Sequence, residues 1–233
     1  MIFFTKRKFK IKKIGKRGKL FIWIVDGEKI RNKLDINFTN FGQHFRFSFI
    51  PKDEFWLDKE ATPNERSFFI DHLLVEWKLM KEGASYNDAL EIANKKERSE
   101  RFKAGDFKKV DDSDGIPDIE KIHSHLLGET HNGITVWLVY GRLVRSVFNI
   151  DFTEGGHDLV YGFVPKNEVW IDDDLLKKEI PYVILHELYE RSLMVKEIPN
   201  YNEAHKKSAK IEWQARKNEK KLKENLLLLG WNK

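Results

Sequence analysis

Ile134-Thr135-Val136-Trp137-Leu138-Val139-Tyr140-Gly141, residues 134–141, reads as a β-branched and aromatic strand closed by a turn residue. Its tryptophan has a partner earlier in the chain. Trp23 precedes Trp137 by 114 residues, and the same offset sets Gly27 on Gly141, Arg31 on Arg145 and Phe38-Thr39 on Phe152-Thr153. The register runs on without a gap, placing Pro51-Lys52 on Pro165-Lys166, Glu54 on Glu168, Trp56 on Trp170 and Asp58 on Asp172. It also places His72 on His186, Glu76 on Glu190 and Leu79-Met80 on Leu193-Met194. One inserted residue after Met80 then aligns Tyr86-Asn87 with Tyr201-Asn202. A fixed offset held over so long a stretch marks an internal repeat. The chain therefore reads as a tandem duplication of one α+β unit. The polar, turn-prone stretch from Ala104 to Gly115 joins the copies, with a boundary near Asp112 and units spanning 1–112 and 113–233. Two homologous units are expected to pack about a pseudo-twofold axis, as a homodimer would.

Within a unit, Gly141 is expected to turn the chain so that Leu143 to Ile150 returns as the second strand of a hairpin. After Gly155-Gly156, Leu159 to Val164 reads as a third strand. Pro165-Lys166-Asn167 breaks it, and Glu168 to Ile171 forms a fourth. From Pro181 the period changes: Ile184, Leu185, Leu188 and Met194 recur at helical spacing. Asn200 or Asn202 can cap a further helix through Ala204, Ala209 and Ala215 towards Leu226 to Leu229. The predicted unit is a small, mostly antiparallel sheet of four strands followed by two helices. Trp56 and Trp170 read as core, and Asp172, matched by Asp58, as a structural residue capping the following segment. Ile122, Leu126 and Leu127 suggest a helix in which His123 and His125 diverge, which discounts them as a chelating pair.

Composition sets outer bounds. Hydrophobic residues make up 41% of the 233 positions and aromatics 13%, enough burial to offset chain entropy and to exclude a disordered chain. Absence of cysteine excludes thiolate chemistry, so any metal must be held by His and carboxylates. It also fits a reducing, cytoplasmic setting. No apolar run is long enough to span a bilayer, and Met1-Ile2-Phe3-Phe4 is too short for a secretory core. The net charge of +5 is unevenly placed, because Lys6, Arg7, Lys8, Lys10, Lys12, Lys13, Lys16, Arg17 and Lys19 crowd one stretch. These cations alternate with Phe9, Ile11 and Ile14, as in a solvated edge strand guarded by lysine. The same run could instead grip nucleic-acid phosphates.

The chemistry-bearing residues lie on the first predicted helix of the second unit, in His186-Glu187-Leu188-Tyr189-Glu190. Residues four apart share a helix face, so His186 and Glu190 can converge on one ion with Glu187 beside them. A divalent ion lowers the pKa of its bound water, and an adjacent carboxylate takes the proton as that water attacks a carbonyl. The next helix offers a third ligand. His205 is favoured, with Glu212 either replacing it or orienting it from behind. His157, after paired glycines, is a candidate to polarise a carbonyl or stabilise an oxyanion. The first copy keeps His72 and Glu76 but has Leu73 at the base position, Leu90 in place of His205 and Gln43 in place of His157. That pattern is what an inactive scaffold copy would show.

His-Glu-x-x-Glu after a small sheet, followed by a second helix offering a ligand, resembles the zincin metallopeptidases, whose motif is His-Glu-x-x-His. The resemblance covers roughly Ile134 to Glu212. It implies zinc at the helix, His186 as a ligand and Glu187 as general base. Glu190 departs from the pattern, and more oxygen donors admit iron or manganese as well. The expected function is a metal-dependent hydrolase, cleaving a peptide or protein substrate at an amide bond. The alternative is a non-catalytic binding module whose basic N-terminal segment holds nucleic acid or another acidic partner. A metal-dependent nuclease fits less well, because clustered aspartates for paired magnesium ions are absent.

Overall fold

The computed structural model describes residues 6–111, 116–196 and 200–232. The chain divides into two compact units, Met1–Asp106 and Phe107–Lys233. The boundary expected near Asp112, like the opening Met1 to Phe4, lies outside the described residues.

The first unit runs β1 (Lys10–Arg17), β2 (Leu20–Val25), α1 (Gly27–Lys33), β3 (Phe41–Gly42), β4 (Glu54–Asp58), α2 (Arg66–Lys81) and α3 (Tyr86–Ala104). The second repeats it with β5 (His123–Glu129), β6 (Thr135–Val139), α4 (Gly141–Val147), β7 (Gly155–His157), β8 (Glu168–Asp172), α5 (Ile180–Lys196) and α6 (Tyr201–Ala215), and adds α7 (Glu219–Leu228). The sheets have matching orders, β1-β2-β4-β3 and β5-β6-β8-β7. In each, the two outer pairs are antiparallel and the central pair is parallel. The fold is thus α+β and duplicated, with mixed sheets.

Four local expectations are corrected. The segment after Gly141 is the helix α4 and not a returning strand, because the parallel β6–β8 pair needs a crossover, which a two-residue turn cannot supply. Leu159 to Val164 is a series of turns closed on the His157 carbonyl by the Val160 and Tyr161 amides. His123 to Glu129 is a strand, not a helix; His123 stacks on Trp137 at 4.2 Å and bonds Glu168 at 3.0 Å, while His125 is exposed. The long C-terminal helix is two helices, since Asn218 caps α7 by accepting from the Lys220 and Lys221 amides.

Strand alternation sends side chains to two covered faces. In the first unit Ile22, Ile24, Phe55 and Leu57 pack with Phe69 and Leu73 of α2. Val25 and Trp56 pack on the other face with Ile30 of α1 and with Phe38, Phe47 and Ile50. The second unit repeats this division, with Val136, Val169 and Ile171 against α5 and Val139 and Trp170 against α4.

The repeated Gly, Arg and Asp positions have one structural cause. Arg31 is fully buried and donates to Asp58 at 2.7 Å, Glu60 at 2.6 Å and the Phe38 carbonyl at 3.2 Å. Arg145 likewise donates to Asp172, Asp174 and the Phe152 carbonyl. The Asp carboxylates lie flat against the start of α1 and α4. A Cβ on Gly27 would stand 1.6 Å from Asp58 Oδ2, and one on Gly141 2.0 Å from Asp172 Oδ1. Either Gly27→Ala or Gly141→Ala forces the carboxylate off its arginine. We expect a loss of roughly 3–5 kcal/mol, the usual cost of breaking a buried ion pair. Urea unfolding midpoints check this, with Gly162→Ala, whose Cβ would meet nothing within 4 Å, as the neutral control.

Candidate metal centre

The helix α5 lies against β7 and β8 and pairs with α6. Its residues 183 to 188 are all buried, and with the apolar Val183, Ile184, Leu185 and Leu188 the helix carries His186, Glu187 and Glu190 into the interior. Asn200 starts α6 by accepting from the Asn202 amide, which sets His205 on its second turn facing α5.

Three ligand-type atoms meet there. His205 Nδ1 is 2.9 Å from Glu190 Oε2 and 3.1 Å from His186 Nε2, and His186 Nε2 is 3.4 Å from Glu190 Oε2. A tetrahedral ion bound at about 2.0–2.1 Å separates its ligands by roughly 3.3 Å. The spacing therefore suits a shared cation, and the donor set of two imidazoles and one carboxylate suits zinc or iron(II). Glu212 is not in this triangle. It accepts from His186 Nδ1 at 2.8 Å, which fixes the imidazole tautomer and turns Nε2 towards the other two atoms. Of the two positions open to Glu212, the structure shows it behind His186 and away from the triangle.

Behind Glu212 runs a chain of buried charges. Arg216 donates to Glu212 at 2.8 Å and to Glu179 at 2.8 Å. The first unit has the same chain: Arg101 donates to Glu97 at 2.8 Å and to Glu65 at 2.9 Å, and Glu97 holds His72 Nδ1 at 2.8 Å. Arg216, Glu179, Arg101, Glu97 and Glu65 were missed in the sequence. Continuing the one-residue insertion into the last helix would have aligned Glu97 with Glu212 and Arg101 with Arg216.

His157 is fully buried, and both its ring nitrogens are engaged. Nδ1 accepts from the Leu159 amide at 3.2 Å, so Nε2 carries the proton and donates to Glu190 Oε1 at 3.1 Å. It therefore has no ring nitrogen left for a substrate carbonyl. Gln43 does the same work in the first unit. Its Oε1 accepts from the Phe45 amide at 2.7 Å and its Nε2 donates to Glu76 Oε1 at 2.5 Å. Gln43 is thus an isostere of His157 in place and function, not part of a lost site. The paired glycines serve packing. A Cβ on Gly155 would stand 3.1 Å from Glu187 Cγ, and one on Gly156 2.4 Å from the Tyr161 ring. Arg191 ties the loop after β7 to α5 through Asp158 at 2.6 Å.

Peculiar to the second unit are Glu187 and His205, and also Gly155 and Tyr161 where the first has Phe41 and Phe47. Glu187 and His205 line a cleft of about 110 Å³ with Gly155, Gly156, Tyr161 and Tyr201. The Glu187 side chain is nine-tenths buried, and no hydrogen bond reaches its carboxylate among the described residues. Burial, reinforced by Glu190, Glu212 and Glu154, pushes that carboxyl up to about 8 against the pull of His186. Burial opposes ionisation of Glu190 too, but hydrogen bonds from His157, His186 and His205 hold it well below the usual carboxylate range. His186 is raised: burial disfavours its charge, and Glu190 and Glu212 outweigh burial. In the first unit His72 is raised to about 9 by the same contest, with Glu76 and Glu97 prevailing over burial. Burial and the nearby carboxylates push the Tyr201 phenol up to about 12 and raise Tyr161 as well.

Among the described residues no helix is long and apolar enough to cross a membrane. Compared with models of protein families, with curated proteins and with solved structures, the chain matches none.

Proposed function

We propose that the second unit is a metal-dependent hydrolase of the zincin type, acting on a peptide or amide bond. In this reading His186, Glu190 and His205 hold a divalent transition metal and Glu187 is the general base. One observation carries it: three ligand atoms from two helices lie 2.9 to 3.4 Å apart at the edge of a cleft that also holds a buried, unbonded carboxylate. When bound, the ion would acidify a water and polarise a carbonyl.

The chain's own residues supply the rest. Glu212 accepts from His186 Nδ1, so Nε2 is the atom that would hold a bound ion, in exchange for the proton that Glu190 otherwise favours there. His157 occupies one oxygen of Glu190 and leaves the other for coordination. Glu187, its carboxyl pushed up to about 8, is protonated below that pH and becomes a proton acceptor as pH rises through it. Tyr161 and Tyr201 stay neutral there and can donate hydrogen bonds to charge developing on an oxygen in the cleft.

Elemental analysis tests the reading. Protein purified with metal available is expected to carry about one transition metal per chain, as one three-ligand site requires. His186→Ala is expected to lose it, and the analysis also separates zinc from iron or manganese. Metal-free protein under replete conditions would sink the proposal.

A further inference from the structure

We infer that β1 is a docking ridge for nucleic acid, gripped through its phosphates without sequence preference. The duplication supplies the control. β1 and β5 hold the same place in their sheets, each paired antiparallel to one neighbour, with register shifts at matching points. Lys10 faces Val25 as His123 faces Val139, Lys13 faces Trp23 as Leu126 faces Trp137, and Lys16 faces Phe21 as Glu129 faces Thr135. The second copy therefore builds the same outer strand from His125, Leu126 and Glu129, with Thr130 just beyond its end, where the first has Lys12, Lys13, Lys16 and Arg17.

Neither folding nor edge protection requires those four cations, because β5 is an outer strand and does without them. Lys10 is accounted for differently. It pairs with Glu54 as His123 pairs with Glu168. Lys12, Lys13, Lys16 and Arg17 are exposed; among the described residues no ion pair to an acidic side chain engages the three lysines, and Arg17 is close enough to Asp71 for their charges to interact.

The form of the charge points to the partner. The cations follow one another along an extended strand, continue to Lys19 at the turn, and have no acidic residue between positions 6 and 19. The cations project to both sides of the outer strand, and an extended edge with this excess of positive charge complements a linear polyanion. Lys13 and Lys16 lie over the half-buried Phe21 ring at 4.1 and 5.3 Å, which holds their stems against the sheet while the side chains stay exposed. The inference stands apart from the metal centre.

Fluorescence anisotropy with short labelled single-stranded and duplex DNA and the full chain tests it. Four neutralised phosphates at roughly −0.7 each give a slope of about −3 in log affinity against log salt for a single strand. Affinity should then fall roughly 50-fold between about 50 and 200 mM salt. Replacing the four residues by their second-copy counterparts (Lys12→His, Lys13→Leu, Lys16→Glu, Arg17→Thr) is expected to flatten the slope and weaken low-salt binding about tenfold or more. A variant with Gln at the same four positions gives the same reading should the exchanged strand fold poorly. Lys206, Lys207, Lys220 and Lys221→Gln is the control, expected to bind nearly as the parent does. No oligonucleotide binding at low salt overturns the inference. So does an equal loss in the control, or binding to anionic phospholipid vesicles in place of DNA.

Discussion

Glu187→Gln is expected to keep its metal and to lose amide hydrolysis by about 10²–10⁴-fold, the range for removing a general base. The substitution is nearly isosteric, which matters in a space where Gly155 already needs its missing Cβ to sit beside Glu187. Glutamine fills that volume and accepts no proton. The wild-type rate is expected to rise with pH on the acid limb as the Glu187 carboxyl ionises, and the variant to lose that limb. Elemental analysis beside turnover on casein or a peptide library measures both quantities. Unchanged turnover with metal retained would acquit Glu187 and leave the metal site standing.

Leu90→His is expected to raise the metal content from about one to about two per chain, by completing a three-ligand site in the first unit. The helices there are already in register. Glu97 holds His72 Nδ1 as Glu212 holds His186, and Gln43 holds one oxygen of Glu76 as His157 holds one of Glu190. His72 Nε2 lies 3.6 Å from Glu76 Oε2 and has no hydrogen-bond partner among the described residues. The third ligand is missing, and Phe41, in the place of Gly155, packs its ring 5.1 Å from that of His72. Leu90 is half-buried on α3, so an imidazole there stays close to solvent and need not disturb the core. The new site would lack a base, since Leu73 is packed among Phe69 and Leu20, and the extra metal should bring no extra turnover. A stoichiometry unchanged from the parent would show that His205 is not what separates the two copies.

The repeat was legible because identical spacing survives in the sequence whatever the structure does with it. The helix face joining His186 to Glu190 was legible for the same reason, since helical period fixes it locally. What failed was tertiary. Leu143 to Ile150 alternates well enough for a strand, and only the parallel pairing of β6 with β8, a long-range fact, demands a helix there. His123 was misread because Leu126 and Leu127 mimic a helical stripe, while the strand with its register shifts is set by Val139, Trp137 and Val136 opposite. Gln43 looked like a loss beside His157, because composition cannot show that an amide and an imidazole present the same acceptor and donor to the same two partners.

The chain of charges from Glu179 through Arg216 and Glu212 to His186 has a reach that the cleft alone would not suggest. A random screen for inactive clones should return changes at Arg216 and Glu179, neither of which lines the opening, as readily as changes in the motif helix. The target for genetic damage is thus set by connectivity through buried carboxylates, and extends from the first turn before α5 to the last residue of α6's cap.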